Sequence, residues 1–305
     1  MPSIGVLGSL NVDLTISLPR FHQPGETIHG TDFQVFTGGK GGNQAVAAAK
    51  LGVQTLMMGK LGADQNGDTY RKVMRNLGIA QDTVLTVEGT PSGVALIEVD
   101  ATGENRIALV PGANYAVNRD MVDALFPSLL KCDILLMQLE IPMDTVEYAA
   151  QKWKAAGKPL LLDPAPAVPL GPDLLGAVSY LTPNETELQI LTGMATDTEE
   201  RVEKAARALL AQGVRCVIAK LGARGAMLVD SNQAVIVPGF SVNAVDTTAA
   251  GDSFNAGFAA ALMEGKTPLE AVRFANAVAA ISTTGMGAQS AMPNRAQVEA
   301  FLRKA

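Results

Sequence analysis

The 305-residue sequence predicts an α/β fold, a doubly wound, mostly parallel sheet flanked by helices, with a small inserted β-sheet acting as a lid. Two observations carry this. Short runs of almost uninterrupted apolar residues recur between amphipathic stretches, and strands apolar on both sides belong in a parallel sheet covered by helices. A second kind of stretch alternates apolar and polar residues (Val12, Leu14 and Ile16 against Asp13, Thr15 and Ser17), the mark of a sheet with one wet face.

Taken in order, residues 4–7 read as the first buried strand, and residues 12–17 and about 31–36 as strands of the small sheet. Residues 43–51 read as a helix rich in alanine, and 64–77 as another, closed by Gly78. Residues 92–99 and 106–110 return to the small sheet, joined by a turn at 100–104. Asn118 caps a helix to about 130, and residues 133–137 form a strand. Asp144 and Glu147 look like a capping box opening a helix that ends at Gly157. Strands follow at 159–163 and 178–182, then a helix capped by Asn184. Asp197 opens a helix to Gln212, and 214–220 is a strand. Residues 254–263 form an apolar helix. No linker, repeat or low-complexity segment divides the chain, so it reads as a single domain over 1–305, with lid segments at about 12–37 and 91–110. Such an insertion serves as a lid or an oligomer contact.

Composition narrows the function. With 24 basic and 30 acidic residues the net charge is −6, which argues against nucleic acid or an anionic membrane as partner. Cys132 and Cys216 lie in or beside apolar runs and read as buried packing residues. Two histidines, His22 and His29, leave no material for a His-rich metal site or a Ser-His-Asp triad. No apolar run is long enough to span a bilayer, and the first basic residue is Arg20, so the expected location is the cytoplasm.

Five segments could carry chemistry. In Val245-Asp-Thr-Thr-Ala-Ala-Gly-Asp252-Ser-Phe-Asn, small residues lead into a helix whose free N–H groups and dipole suit phosphate. Asp252 is there either an N-cap or a general base beside an anion hole, with Asp246 a second acid six residues earlier. Thr37-Gly-Gly-Lys-Gly-Gly-Asn43 reads as a glycine loop around Lys40, without the spacing of a Walker A or dinucleotide motif; its plainer reading is a mobile linker. Asn11 and Asp13 follow the first strand and point to one face, as hydroxyl readers or as a solvated strand face. Asn184 and Glu187 form a capping box or hold hydrated Mg²⁺ and phosphate. Lys220-Leu-Gly-Ala-Arg-Gly225 is a hairpin turn or a bed for a nucleotide, and Asp163-Pro-Ala-Pro166 is a rigid turn. Together they suit phosphoryl transfer to a polyol, where a substrate hydroxyl needs a base and the transferred group needs donors.

These segments, with Gln138-Leu-Glu140 and Gly285-Met-Gly-Ala-Gln289, resemble the PfkB-type carbohydrate kinases in order and spacing over essentially the whole chain. The likeness is greatest to members that phosphorylate ribose. The resemblance implies ATP-dependent phosphorylation of the D-ribose 5-hydroxyl, with Asp252 as base and the N–H groups of Ala249, Ala250 and Gly251 as anion hole. It places Asn11, Asp13, Gly39, Lys40, Gly41, Gly42, Asn43 and Glu140 on the sugar. Asn184 and Glu187 would arrange Mg²⁺ and phosphate. Lys220, Leu221, Gly222, Ala223, Arg224, Gly225 and Asn276 would line the ATP site. A K⁺ ion would sit among Asp246, Thr248, Ser282, Gly285, Gly287 and position 291. The lid would close over ribose and join a homodimer. The chain departs from the family pattern at Ala291 (often serine), Lys220 (commonly threonine), Asp163 (frequently asparagine) and Asn276 (commonly histidine). The competing readings are a relative acting on 2-deoxyribose, fructose or a nucleoside, a non-catalytic sugar sensor, and a dehydrogenase, the last disfavoured by the missing dinucleotide fingerprint.

Overall fold

A computed structural model describes residues 3–304. The chain opens with β1 (Ser3–Leu7), β2 (Asn11–Ser17), β3 (Asp32–Gly38), α1 (Lys40–Lys50), β4 (Gln54–Gly62), α2 (Gln65–Asn76), β5 (Val84–Val87), β6 (Gly93–Val99) and β7 (Asn105–Val110). It continues through α3 (Arg119–Leu129), β8 (Ile134–Met137), α4 (Met143–Ala155), β9 (Leu160–Leu162), α5 (Pro172–Leu175), β10 (Tyr180–Leu181), α6 (Glu185–Thr192) and α7 (Glu199–Leu210). The last part contributes β11 (Cys216–Lys220), β12 (Gly225–Val229), β13 (Ala234–Pro238), α8 (Ala250–Met263), α9 (Pro268–Ser282), α10 (Ala288–Ala291) and α11 (Arg295–Leu302).

Nine strands form one sheet in the order β13-β12-β11-β10-β9-β8-β1-β4-β5. All pairs are parallel except β11–β12 and β12–β13. Successive residues of a strand feed opposite layers: Ile134, Leu136 and Leu161 face α1, α8 and α9, while Leu135, Met137, Leu160 and Leu162 face α3, α4 and α7. That two-sided burial is why these runs are apolar throughout. The chain leaves β1 toward β4 on one side and β8 on the other, so the strand order reverses at β1. The carboxyl ends of strands beside such a reversal are where open α/β sheets bind ligands.

The second sheet has the order β3-β2-β6-β7 and supplies the expected lid strands. Asn11 pairs with Gly38 and Gly93, Leu14 with Val35 and Leu96, and Ile16 with Phe33. One face therefore carries Asn11 and Asp13, and the other Leu14, Phe33, Val35 and Leu96. The apolar face is not the covered one: Phe33, Val35 and Leu96 are 60 %, 51 % and 50 % exposed.

Several expected boundaries move. Helix α1 begins at Lys40, so the second glycine pair lies in a buried first turn rather than a loop. Asp144 is not a cap; Pro142 opens α4, its carbonyl accepts from Thr145 and Val146, and Asp144 pairs at the surface with Arg119 at 3.3 Å. Thr198, not Asp197, caps α7, and Asp197 binds Arg201 from outside. The strands β4, β5, β12 and β13 and the helices α5 and α9 to α11 escaped the sequence reading. No described helix is long and apolar enough to cross a membrane.

Candidate active site

The carboxyl ends of β1, β8, β9, β10 and β11 open on one side of the sheet, and the residues singled out in the sequence gather there. Helix α8 brings the acid. Its cap, Ala249, is held at φ 58°, a left-handed conformation that no other described non-glycine residue adopts and that a β-carbon makes costly. The turn sets Asp252 in the first turn of α8, 5 % exposed, which disposes of the N-cap reading. Among the described residues the N–H groups of Ala249 and Gly251 have no acceptor. That of Ala250, expected in the anion hole with them, donates to the Thr247 carbonyl at 3.2 Å.

Helix α1 points its own N-terminus at the same spot. Gly39 precedes it at φ 78°, and a β-carbon there would press on the Asn11 nitrogen. At Gly41 the backbone passes so close to Gly8 and Ser9 that a β-carbon would lie 2.7 Å from each. The glycines thus serve close packing of α1 on the end of β1. The N–H groups of Lys40, Gly41 and Gly42 are engaged by Glu140, the Ser9 hydroxyl and the Ser9 carbonyl. Glu140 is fixed by these contacts and accepts from the Ser9 hydroxyl at 2.5 Å. Asn43 Nδ2 donates to Asp252 Oδ2 at 3.0 Å, and Gln44 Nε2 to Asp252 Oδ1 at 3.1 Å. Asn11 accepts from Asn114, a residue the sequence reading missed, at 2.7 Å. Asp13 has no protein donor within hydrogen-bond reach among the described residues.

The centre is crowded with charge. Burial pushes Asp13 up to about 7, helped by Glu140 and Asp252. Burial also raises Asp252 above the usual carboxylate range, with Asp163 acting in the same sense and Lys40 and the two amide donors opposing. Burial opposes the Lys40 charge, but Asp252, Asp163, Glu140 and Glu187 around it outweigh that and raise it. Lys220 Nζ lies 3.0 Å from Asp163 Oδ1 and 4.0 Å from Glu187 Oε2. A cleft of about 320 Å³ collects Lys40, Asp163, Glu187, Lys220, Gly251 and Asp252.

A second cavity, of about 350 Å³, opens from the same place and shares Lys220, Gly222, Ala250 and Gly251 with the cleft. Ala223, Gly225 and Asn276 line it, as do Phe240, Val242, Phe254, Ala279, Ala280 and Thr283, which the sequence reading missed. Leu221 and Arg224 line neither. The Leu221 side chain is 2 % exposed within the core, and Arg224 turns outward to Glu185 at 2.5 Å. Residues 220–225 are also the expected hairpin turn, between antiparallel β11 and β12.

Two groups of oxygens could hold cations. Asn184 and Glu187 form the capping box of α6, which engages Asn184 Oδ1 and Glu187 Oε2 and leaves Glu187 Oε1 without a protein donor among the described residues. That arrangement suits Mg²⁺ held through its waters. Among the described residues no three His, Cys, Asp or Glu side chains cluster to ligate a metal directly. Asp246 accepts from the N–H of Thr248 at 2.8 Å and of Gly287 at 2.9 Å, tying together the two loops expected around K⁺. Ser282 donates to the Ala279 carbonyl, and the Ala291 methyl faces Gly285. Each Asp246 oxygen is thus engaged by a backbone N–H, and Ala291 contributes no oxygen to these loops.

The model of the pfkB family carbohydrate kinases matches residues 1–295. Ribokinase of Haemophilus influenzae is 43 % identical over 303 residues, covering 99 % of each chain. Deoxyribokinase of Salmonella typhi is 39 % identical over 300 residues, covering 98 % of each. The structure of Arabidopsis thaliana ribokinase complexed with ribose and ATP matches with a TM-score of 0.94 at 36 % identity, over 99 % of each chain.

Proposed function

The chain belongs to the pfkB family of carbohydrate kinases, and from that we propose that it transfers the γ-phosphoryl group of ATP to the 5-hydroxyl of D-ribose. The relatives that are ribokinases, one with ribose and ATP bound, support the substrate pair. The observation that carries the mechanism is the place of Asp252: it accepts from both side-chain amides of α1, Asn43 and Gln44, and lines the cleft that runs into the second cavity.

Asp252 takes the proton of the 5-hydroxyl as its oxygen bonds to the γ-phosphorus. The bond from that phosphorus to the bridging oxygen breaks, and ADP leaves with the bonding pair. The N–H groups of Ala249 and Gly251, at the positive end of the α8 dipole, face the charge on the phosphoryl oxygens, and Lys40 and Lys220 add to them. Burial makes these donors stronger than they would be in water. Asn11, Asp13, Asn43 and Glu140 bind the sugar hydroxyls, and the second cavity takes the nucleotide. Asn184 and Glu187 would hold Mg²⁺, which neutralises phosphate charge when bound. Asp246 and the carbonyls around it would hold K⁺ beside the start of α8. The exposed apolar lid face pairs two chains into a homodimer, since a contiguous patch of that kind marks an interaction site.

The test is ADP release with ATP, Mg²⁺ and K⁺ against ribose, 2-deoxyribose, fructose and adenosine, with wild type and Asp252→Asn. Ribose should be preferred, and the variant should lose about 10²–10⁴ in turnover while still binding sugar. Preference for 2-deoxyribose would keep the kinase and overturn the substrate. Near-normal turnover of the variant would remove Asp252 as base, and silence across the panel would favour a sugar sensor.

A further inference from the structure

Each oxygen of Asp252 accepts from one side-chain amide, and each of those amides is itself held by another. Gln289 Nε2 donates to Asn43 Oδ1 at 3.1 Å, and Gln138 Nε2 donates to Gln44 Oε1 at 2.6 Å. All four amides are buried, Gln44 and Gln138 completely. We propose that Gln289 and Gln138 are positioning residues that hold the Asp252 carboxylate through Asn43 and Gln44, as two arms of one scaffold. The inference rests on Asp252 being the base.

An amide has a donating end and an accepting end of nearly equal shape. Reversed, Asn43 or Gln44 would turn its oxygen toward a carboxylate oxygen, and the base would lose a donor and gain a repulsion. The outer donor removes that choice, because the oxygen it binds must face away from Asp252. Buried networks of this kind fix one geometry when their members are paired. The two arms end in different places. Gln289 accepts from the Thr37 hydroxyl at 2.6 Å and donates to the Tyr70 hydroxyl at 2.9 Å, which donates to the Gly38 carbonyl at 2.6 Å. This arm links the base to the end of lid strand β3. Gln44 also donates to Asp163 Oδ2 at 3.3 Å, and Asp163 holds Lys220, so the other arm links the base to the phosphate side. Gln138 is a poor choice for stability alone. Its Oε1 is buried with no partner among the described residues, which is unfavourable in a core.

The test uses Gln289→Met and Gln138→Met, alone and combined with Asp252→Asn. Each single variant should lower kcat about 10- to 100-fold, as a misplaced reacting group does, with KM for ATP within about twofold. Gln289→Met should also raise KM for the sugar, and Gln138→Met should leave it unchanged. In the Asp252→Asn background the extra loss should shrink to about twofold or less, because the scaffold then has no base to hold. If a Met variant fails to fold, Gln→Leu at the same position also removes the donor and should show the same loss. Singles that keep wild-type kcat while Asp252→Asn is crippled overturn the inference, as do losses that persist in full in the Asp252→Asn background. A near-normal Asp252→Asn overturns instead the reading of Asp252 as base, and this inference with it.

Discussion

The two halves of the candidate site are made of different material. The half proposed for the sugar is held by side chains that meet across the chain, such as Asn43 and Asp252, 209 residues apart, and Thr37 and Gln289, 252 apart. The half proposed for the nucleotide is walled mostly by glycines, alanines and a few apolar side chains from β12, α8 and α9 and the segment 239–247, with Lys220 and Asn276 among its few polar groups. A site of placed hydrogen-bonding groups discriminates strongly, because a ligand lacking one hydroxyl strands a buried polar group. A wall of backbone and small residues accepts a flat apolar body and leaves little to remove by mutation. Single substitutions should therefore cost far more on the first side than on the second.

The largest effect expected from this contrast is at Asp13. Asp13→Asn should raise KM for the sugar about 10- to 100-fold, the worth of one charged hydrogen bond, and leave KM for ATP alone; an ATP effect of equal size would break the contrast. The same change should reveal a stability cost. Burial holds the Asp13 carboxyl at about 7 in the folded chain, well above the ordinary 3.8 of an aspartate, so the folded state keeps a proton that the unfolded chain releases. Stability from this group is therefore present below about pH 4 and lost as pH rises toward 7. Asp13→Asn should melt above wild type at pH 8, by about 2–4 °C per kcal/mol regained, and the gain should vanish near pH 4 in calorimetry.

Next in size is the double change Lys220→Thr with Asp163→Asn, which removes the buried ion pair without stranding either charge. KM for ATP should rise about tenfold with little change for the sugar. A sugar effect without an ATP effect would place Lys220 on the other side of the divide. Smaller again, replacing K⁺ by a bulky organic cation should lower turnover a few-fold; an unchanged rate would mean that Ala291 marks a lost site. The least change in chemistry is expected at the lid's outer face. Phe33→Glu with Leu96→Glu should give monomers by light scattering, and a persisting dimer would put the interface elsewhere.

The same contrast explains what the sequence disclosed. Asp252, Asn43 and Asp13 stand out because a polar residue amid glycines or at a strand end has few structural uses, whereas Glu140 was reached only through the family resemblance. The alternation of strand β2 revealed a separate sheet, though not that its apolar side would be the exposed one. Phe240, Val242, Ala279 and Thr283 were illegible, since apolar and small residues look the same lining a cavity as filling a core. Glycines misled for a related reason. Those after Lys40 signalled a ligand loop, and they let α1 settle onto the end of β1. Leu221 and Arg224 lie within a glycine turn, but the hairpin sends one side chain into the core and the other to Glu185.

Strand β2 puts Asp13 on one face of the lid and Leu14 on the other, and its neighbours follow suit along the register. A side-chain period of two then governs which lengths the strand can take. A single residue inserted between Asp13 and the body of β2 would send every later side chain to the opposite face. The apolar residues would turn inward over the cleft and the polar ones outward, in one step. Change of length in this strand is tolerated only in pairs, or with a bulge to absorb the odd residue. The lid is thus counted in even numbers, while the turns around it are free to grow one residue at a time.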